Sequence, residues 1–282
     1  MAGWNDGGVD ISSHIDALDR DGALLADAAE AAGLQAGVPG CPGWQVRDLL
    51  RHQAYVHAWA ARHVRERSPV LIDDELTESD ILGRGPADPG LIAAYRDGHA
   101  ALVATLRAAD PDLECATFMP APSPLAFWAR RQAHETAIHR YDAQSALSGG
   151  PPAPAAAFGS AFAADGVDEL IMGFAARKRY RLSNDDDNAN DNGNGNAGRE
   201  RSLTVRAQDA DARWRVRVAE GGSTVSRAVT TDDPEGGCTV DGPAAGLYAF
   251  LWNRVDAARA GLTITGGPEI LTVWNTRVRV RW

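Results

Sequence analysis

The stretch SPLAFWARRQAHETAIHRYDAQSAL, residues Ser123 to Leu147, decides the fold of the N-terminal part of the chain. Ser123 is a suitable helix cap and Pro124 suits a first helical turn. The next helix-breaking residue is Gly149, and residues between these signals repeat at helical spacing. The sequence therefore predicts one long helix.

Glu135 and His139 lie four residues apart in this predicted helix, so they share one face about one turn apart. A carboxylate and an imidazole at this spacing can hold one ion. His134 lies about 140° around the helix from His139 and does not join them. The separation of five positions between these two histidines also excludes the zinc-protease pattern His-Glu-x-x-His, in which the separation is four.

Composition limits the possible functions. A chain of 282 residues can bury a substantial core and favours two domains. The net charge of −10 argues against nucleic acid as a partner. Three widely spaced cysteines argue against a disulfide framework and for a reducing compartment. Because the sequence lacks an apolar run of about 20 residues and a signal-like N-terminus, we expect a soluble cytoplasmic protein without a membrane partner.

Three further helices are predicted in the N-terminal part, at Ile11–Leu34, Trp44–Arg65 and Leu91–Ala109. A polar connection, Asp74–Pro89, separates the second and third of them. Together with the helix that begins at Ser123, they predict an up-and-down or crossover four-helix bundle.

The pattern changes after a Gly- and Pro-rich boundary at Ser148–Pro154, which predicts domains at 1–150 and 151–282. The second part contains two predicted helices, Ala155–Tyr180 and Ala244–Ala257. Alternating residues predict strands at Leu203–Arg206, Trp214–Val218, Thr224–Val229 and Leu262–Thr265. The predicted fold class is therefore α+β, a helical bundle followed by a small α+β domain.

Residues 184–198 form an Asn/Asp/Gly-rich segment of low complexity within the second part. Such a composition cannot bury enough apolar surface to offset the entropy lost on ordering. We expect a mobile surface loop here.

Two ligands leave an ion under-coordinated, so a facing helix should supply another. His52 lies on the stripe with Val56 and Trp59 that is most suited to burial, which predicts a metal site at His52, Glu135 and His139. Three protein ligands with one open position are typical of catalytic zinc. The simpler alternative is that Glu135 and His139 form an ordinary i,i+4 side-chain pair on the helix surface.

Several other side chains have simpler interpretations. Cys41 is a fourth ligand, a reactive thiol or a small buried residue, and the last of these is the simplest. The remaining aromatic and histidine side chains are expected to be ordinary, with Trp44, Trp59 and Trp128 in the core and His57, His63 and His99 partly exposed.

Four motifs resemble the mycothiol-dependent maleylpyruvate isomerase family. They are Val38–His52 (VPGCPGWQVRDLLRH), Arg131–Asp142 (RQAHETAIHRYD), Ala163–Leu170 and Phe250–Arg254. The resemblance implies a DinB-like four-helix bundle and a C-terminal α+β domain of sterol-carrier-like shape. The insertion at 184–198 departs from the family pattern but lies outside the motifs.

The resemblance also implies a function. The metal ligands of the family fall on His52, Glu135 and His139, and mycothiol would be the thiol cofactor or cosubstrate. Coordination to a metal deprotonates a thiol, and the thiolate is the nucleophile. The implied activity is either cis-trans isomerisation of a maleylpyruvate-like substrate or transfer of the thiol to a small electrophile. A chain with a single lysine, Lys178, and many arginines fits hosts that make mycothiol.

Two other classes of function remain open. A thiol-independent metal hydrolase would use a metal-bound water with His134 or Asp142 as the base. A non-catalytic protein would hold an apolar ligand near Tyr248–Trp252, although this run is also typical of a buried helix.

Arg254 is the candidate catalytic residue of the second domain. It follows an apolar run, so its stem is expected to be buried while the guanidinium reaches a cleft and binds a carboxylate. The alternative is that Arg254 pairs with Asp256 or with a carbonyl at the helix end.

Overall fold

A computed structural model describes residues 9–83, 87–177, 201–219, 222–228 and 237–278. The chain divides into two compact units, Met1–Pro152 and Ala153–Trp282. Within the described residues, no helix combines the length and the apolar character needed to cross a membrane.

The described residues of the first unit form four long helices and one short one. They are α1 (Ile11–Ala32), α2 (Val46–Glu66), α3 (Glu78–Gly83), α4 (Asp88–Arg107) and α5 (Pro124–Ser148). The four long helices confirm the predicted bundle, while α3 lies inside the polar connection predicted at Asp74–Pro89.

Local signals define both ends of α5. The Ser123 hydroxyl accepts a hydrogen bond from the Ala126 backbone N–H at 3.1 Å, and Pro124 occupies the first turn. Gly149 ends the helix at φ +70°, which is a strained conformation for other residues. Between these caps α5 is buried on nearly every face, polar residues included. The buried polar groups must therefore find partners inside the protein.

Three histidines that were predicted to be partly exposed are buried instead: His57, His63 and His99. Each has a hydrogen-bond partner that the sequence pattern does not reveal, and for His57 and His99 this partner lies on another helix. His63 Nδ1 bonds the Trp59 carbonyl at 2.9 Å, and its Nε2 accepts the Ile72 backbone N–H at 2.9 Å. The prediction of partial exposure was wrong because a neutral imidazole can be buried when at least one of its nitrogens is hydrogen-bonded.

Glycine 22 explains how the His99 ring is accommodated against α1. A Cβ atom at Gly22 would lie 2.1 Å from His99 Cε1, which is far inside van der Waals contact. His99 Nε2 lies 3.2 Å from the Asp19 carbonyl oxygen. The close approach of α1 and α4 therefore depends on the missing side chain at Gly22.

The second unit is α+β, which confirms the predicted fold class. It contains α6 (Pro154–Ala157), α7 (Ser160–Asp168), a π-helical segment (Glu169–Ala175), β1 (Arg201–Ala207), β2 (Ala212–Ala219), β3 (Gly222–Arg227), β4 (Cys238–Gly242), α8 (Ala244–Leu251), β5 (Thr263–Thr265) and α9 (Glu269–Arg277). The sheet has the order β3-β2-β1-β4-β5. The pairing of β1 with β4 is parallel, and the other three pairings are antiparallel.

Several predicted elements of this unit need correction. The helix predicted at Ala155–Tyr180 is interrupted at Phe158, whose backbone is extended, and continues as α7 and the π-helical segment. The helix predicted at Ala244–Ala257 stops at Leu251, since Asn253 has a positive φ of 60°. Strand β4 and helix α9 were not predicted. The segment 184–198 lies outside the described residues.

The burial of His57 makes stability depend on pH. Its Nε2 lies 2.9 Å from the Thr136 hydroxyl oxygen. Burial, reinforced by the nearby His99, holds the pKa of His57 well below its ordinary value of 6.5. In the unfolded chain the ring takes up a proton as the pH falls below 6.5, whereas the folded protein resists that proton, so acid lowers the free energy of unfolding.

We therefore expect His57→Gln to flatten the pH dependence of the free energy of unfolding between pH 8 and pH 5.5. One proton corresponds to a slope of about 1.4 kcal/mol per pH unit. Urea unfolding of metal-free protein measures this slope. Thr136→Val, which removes the hydrogen-bond partner but keeps the imidazole, should retain the slope of the wild type. Equal slopes for wild type and His57→Gln would contradict the assignment.

Candidate metal centre

The centre of the first unit combines side chains from two helices. Glu135 and His139 lie one turn apart on α5, and His52 reaches them from α2. All three are buried, with exposures of 1%, 7% and 4% respectively. The alternative of a surface pair is excluded by this burial.

The distances fit a tetrahedral ion. His52 Nε2 and His139 Nε2 each lie 3.2 Å from Glu135 Oε1, and the ligand atoms of the three residues lie within 4.8 Å of one another. Ligands bound at 2.0–2.2 Å to a tetrahedral zinc lie about 3.4 Å apart. Two imidazoles and one carboxylate are a donor set that suits zinc. The residues present therefore fit a divalent metal.

Arg131 is the counterion of the Glu135 carboxylate. Its Nη2 donates to Glu135 Oε2 at 2.8 Å, and the Arg131 side chain is fully buried. Burial alone would raise the pKa of Glu135, but the hydrogen bonds from His139 and His52 and the positive charge of Arg131 outweigh it. They hold the pKa of Glu135 well below its usual range. The ionised form of Glu135, which can bind a cation, is therefore favoured.

His139 has a partner on each ring nitrogen. Its Nε2 faces Glu135, and its Nδ1 lies 3.0 Å from Asp142 Oδ2. Burial alone would lower the pKa of His139, but the hydrogen bonds to Asp142, Cys41 and Glu135 hold it well above the ordinary value. Cys41 is half-buried, and its thiol donates to Asp142 at 3.4 Å.

The turn before α2 places an aromatic ring beside the candidate ligands. The Val38 backbone N–H donates to the Trp44 carbonyl at 2.9 Å, and Gly43 adopts a φ of +90° inside this turn. The Trp44 ring lies 5.1 Å from that of His52 and stacks on that of His139 at 6.3 Å. Trp44 was predicted to be core, but it is only half-buried and borders the site.

Two further candidate residues have other contacts. His134 contacts His14 instead, with ring centroids 5.8 Å apart. Arg254 belongs to the second unit and lies beyond the end of α8. Its Nη1 donates to the Trp252 carbonyl at 2.8 Å, which is the helix-end contact that the sequence left open as an alternative.

Sequence reasoning missed the role of Arg131 and of Trp44. The signal for Arg131 was available, since it lies four residues before Glu135 and helical residues at this spacing are neighbours. The position of Trp44 had no comparable signal, because it depends on the shape of the turn at Gly43.

Comparison with known families identifies the first unit. The family described as "Mycothiol maleylpyruvate isomerase N-terminal domain" matches residues 15–144, a range that includes His52, Glu135 and His139. The N-terminal domain of this chain belongs to that family. The resemblance predicted from the motifs is thereby confirmed.

Solved structures are similar to this chain in fold beyond residues 15–144. A crystal structure of the mycothiol-dependent maleylpyruvate isomerase matches with a TM-score of 0.57 and 13% identity, over 91% of this chain and 93% of that chain. A structure of a histidine-to-alanine mutant of that isomerase gives the same values. At this identity the likeness shows a shared fold. No curated protein is similar enough to be counted as a relative.

The candidate centre predicts the metal content of purified protein. We expect about one divalent metal per chain in the wild type and none in His139→Ala, because removal of one of three protein ligands destroys a site of this type. Elemental analysis of protein purified without a chelator measures the ratio. His63→Gln is the matched control, since it alters a buried histidine of α2 that is hydrogen-bonded to the backbone of Trp59 and Ile72. This variant should keep its metal. Full metal content in His139→Ala would show that the ligand set is wrong.

Proposed function

We propose that this protein is a metal-dependent enzyme that uses mycothiol as its thiol cofactor or cosubstrate. The single observation that carries the proposal is the buried group of His52, Glu135 and His139 inside a domain of the mycothiol maleylpyruvate isomerase family. The solved enzymes of the same fold support it. The proposed metal is zinc, and the cytoplasmic location predicted from the composition stays a prediction.

The residues of the chain have distinct parts in this proposal. His52, Glu135 and His139 would hold the metal, which supplies a Lewis acid with an open position that favours the thiolate form of a bound thiol. Arg131 keeps Glu135 ionised by pairing with the oxygen that faces away from the histidines. The burial of all four side chains excludes bulk water from the ligands and strengthens their electrostatic interactions.

The proposed reaction class is addition of a thiol to an activated cis double bond. Rotation about the resulting single bond and elimination of the same thiol would give the trans isomer, as in maleylpyruvate isomerisation. Without elimination, the product would be a thioether, which is the outcome of an S-transferase. Both reactions need the same nucleophile, so both are consistent with the candidate site.

The alternative of a thiol-independent hydrolase has less support. Of its two candidate bases, His134 contacts His14 rather than the ligand group, and Asp142 is bonded to His139 and Cys41. The alternative of an apolar-ligand carrier is also weakened. Tyr248 and Leu251 of α8 are fully buried in the second unit, as residues of a packed core are.

The proposed function is tested by the thiol dependence of turnover. Zinc-loaded protein is incubated with maleylpyruvate, with mycothiol, with glutathione as a control thiol, or with no thiol, and the trans isomer is measured. We expect turnover with mycothiol in the wild type and in His63→Gln, and a loss in His139→Ala. Hydrolysis of the substrate without any thiol, or turnover without thiol at the same rate as with mycothiol, would contradict the proposal and favour the hydrolase.

Arg254 is proposed to bind a carboxylate of the substrate or of the thiol, because a planar guanidinium binds both oxygens at once. Arg254→Lys should preserve the fold and the metal but lower kcat/KM by roughly ten- to a hundredfold, about 1.5–3 kcal/mol, since lysine lacks the bidentate geometry. Arg259→Lys, at an exposed arginine of the same segment, is the matched control. Unchanged kinetics in folded, metal-loaded Arg254→Lys would return Arg254 to a structural role.

A further inference from the structure

The His139 ring lies between two buried carboxylates. Its Nε2 is 3.2 Å from Glu135 Oε1, and its Nδ1 is 3.0 Å from Asp142 Oδ2. Asp142 itself is 0% exposed. An imidazole nitrogen that binds a metal cannot carry a proton, so the proton of a neutral ligand histidine must lie on the other nitrogen. Which nitrogen faces the metal is therefore decided by the partner of the opposite one.

We propose that Asp142 is the positioning residue that makes His139 a ligand through Nε2. Its carboxylate accepts a hydrogen bond from the Nδ1–H group of His139. This inference rests on the metal site of the proposed function and adds a residue to it. A carboxylate in this position fixes the tautomer and the orientation of the ring, and its negative charge makes the opposite nitrogen a stronger donor to the metal.

The rigidity of α5 supports this role. Asp142 follows His139 by three residues, so both side chains project from neighbouring turns of one buried helix. The ring is also confined from the side, because Trp44 stacks on it. A rotation of the His139 ring that broke its bond to Asp142 would bury a carboxylate with one partner fewer, which is costly in a low-dielectric interior.

Cys41 gives Asp142 a second donor. The thiol lies 3.4 Å from Asp142 Oδ2, the same oxygen that faces His139 Nδ1. Asp142 thereby connects the turn before α2 with the ligand helix. This contact assigns Cys41 a supporting part as a hydrogen-bond donor, which serine can also supply.

In a competing arrangement, Cys41, His139 and Asp142 would themselves be the metal ligands. The ligand atoms of Cys41, His139 and Asp142 lie within 4.8 Å of one another, so an ion could in principle bind on the Nδ1 side of the ring. The Nε2 side is favoured because both of its other ligands, His52 and Glu135, are buried, whereas Cys41 on the Nδ1 side is only half-buried, and because Glu135 already has Arg131 as a counterion. The two arrangements predict different behaviour of Cys41 variants.

The test measures zinc affinity by competition with a chromogenic chelator in Asp142→Ala, Asp142→Asn and Cys41→Ser. We expect a loss of about a hundredfold in Asp142→Ala and of about tenfold in Asp142→Asn, which keeps an acceptor oxygen but not the charge. Cys41→Ser should bind zinc as tightly as the wild type. If Asp142→Ala does not fold, the near-isosteric Asp142→Asn decides the question. Wild-type affinity in Asp142→Asn would overturn the proposal.

Cobalt in place of zinc distinguishes the two sides of the ring. The wild type should show the d–d absorption of a tetrahedral site without a thiolate-to-cobalt charge-transfer band, and Asp142→Asn should alter the d–d bands while circular dichroism stays unchanged. A thiolate band that disappears in Cys41→Ser would overturn the positioning role in favour of Cys41 as a ligand. His139→Ala distinguishes failure of the metal site from failure of the positioning role. Metal binding by His139→Ala would contradict the proposed site. Loss of metal in His139→Ala, together with unchanged metal binding in Asp142→Asn, would contradict the positioning role alone.

Discussion

The N-terminal bundle depends on one carboxylate that is removed from water. Glu135 is 1% exposed, and an ionised group in such a place is destabilising by several kcal/mol unless charges and donors converge on it. Arg131 pairs with one of its oxygens, and His52 and His139 with the other. Because His52 comes from another helix, only a register of α2 and α5 that brings it to this oxygen satisfies the charge.

The same pairing explains how the proposed metal site can arise at the centre of a packed bundle. The two imidazoles that stabilise Glu135 each place an Nε2 atom 3.2 Å from Glu135 Oε1, near the spacing of tetrahedral ligands, so exchange of hydrogen bonds for coordination is expected to need little movement of the backbone. Arg131 pairs with the far oxygen, Oε2, which the proposed coordination does not use. In the proposed metal site, structural stability and metal affinity therefore draw on the same side chains, and a substitution at any of them is expected to affect both.

Much of this site was predictable because it is local in sequence. The spacing of Glu135 and His139 and the caps at Ser123 and Gly149 follow from helical geometry alone. His52 required only that a facing helix supply the next ligand. The role of Asp142 as partner of His139 was not predicted, because a spacing of three residues does not reveal which ring nitrogen an aspartate meets. Strand β4 was missed for a similar reason, since its five residues are identified by parallel pairing with the distant β1.

The most direct test of the account is anomalous diffraction at the zinc absorption edge from crystals grown with zinc. We expect one strong peak about 2.0–2.2 Å from His52 Nε2, Glu135 Oε1 and His139 Nε2, with a fourth position open. A peak on the other side of the ring, between Cys41 and Asp142, would contradict it. So would the absence of any peak at the three ligands in crystals with saturating zinc.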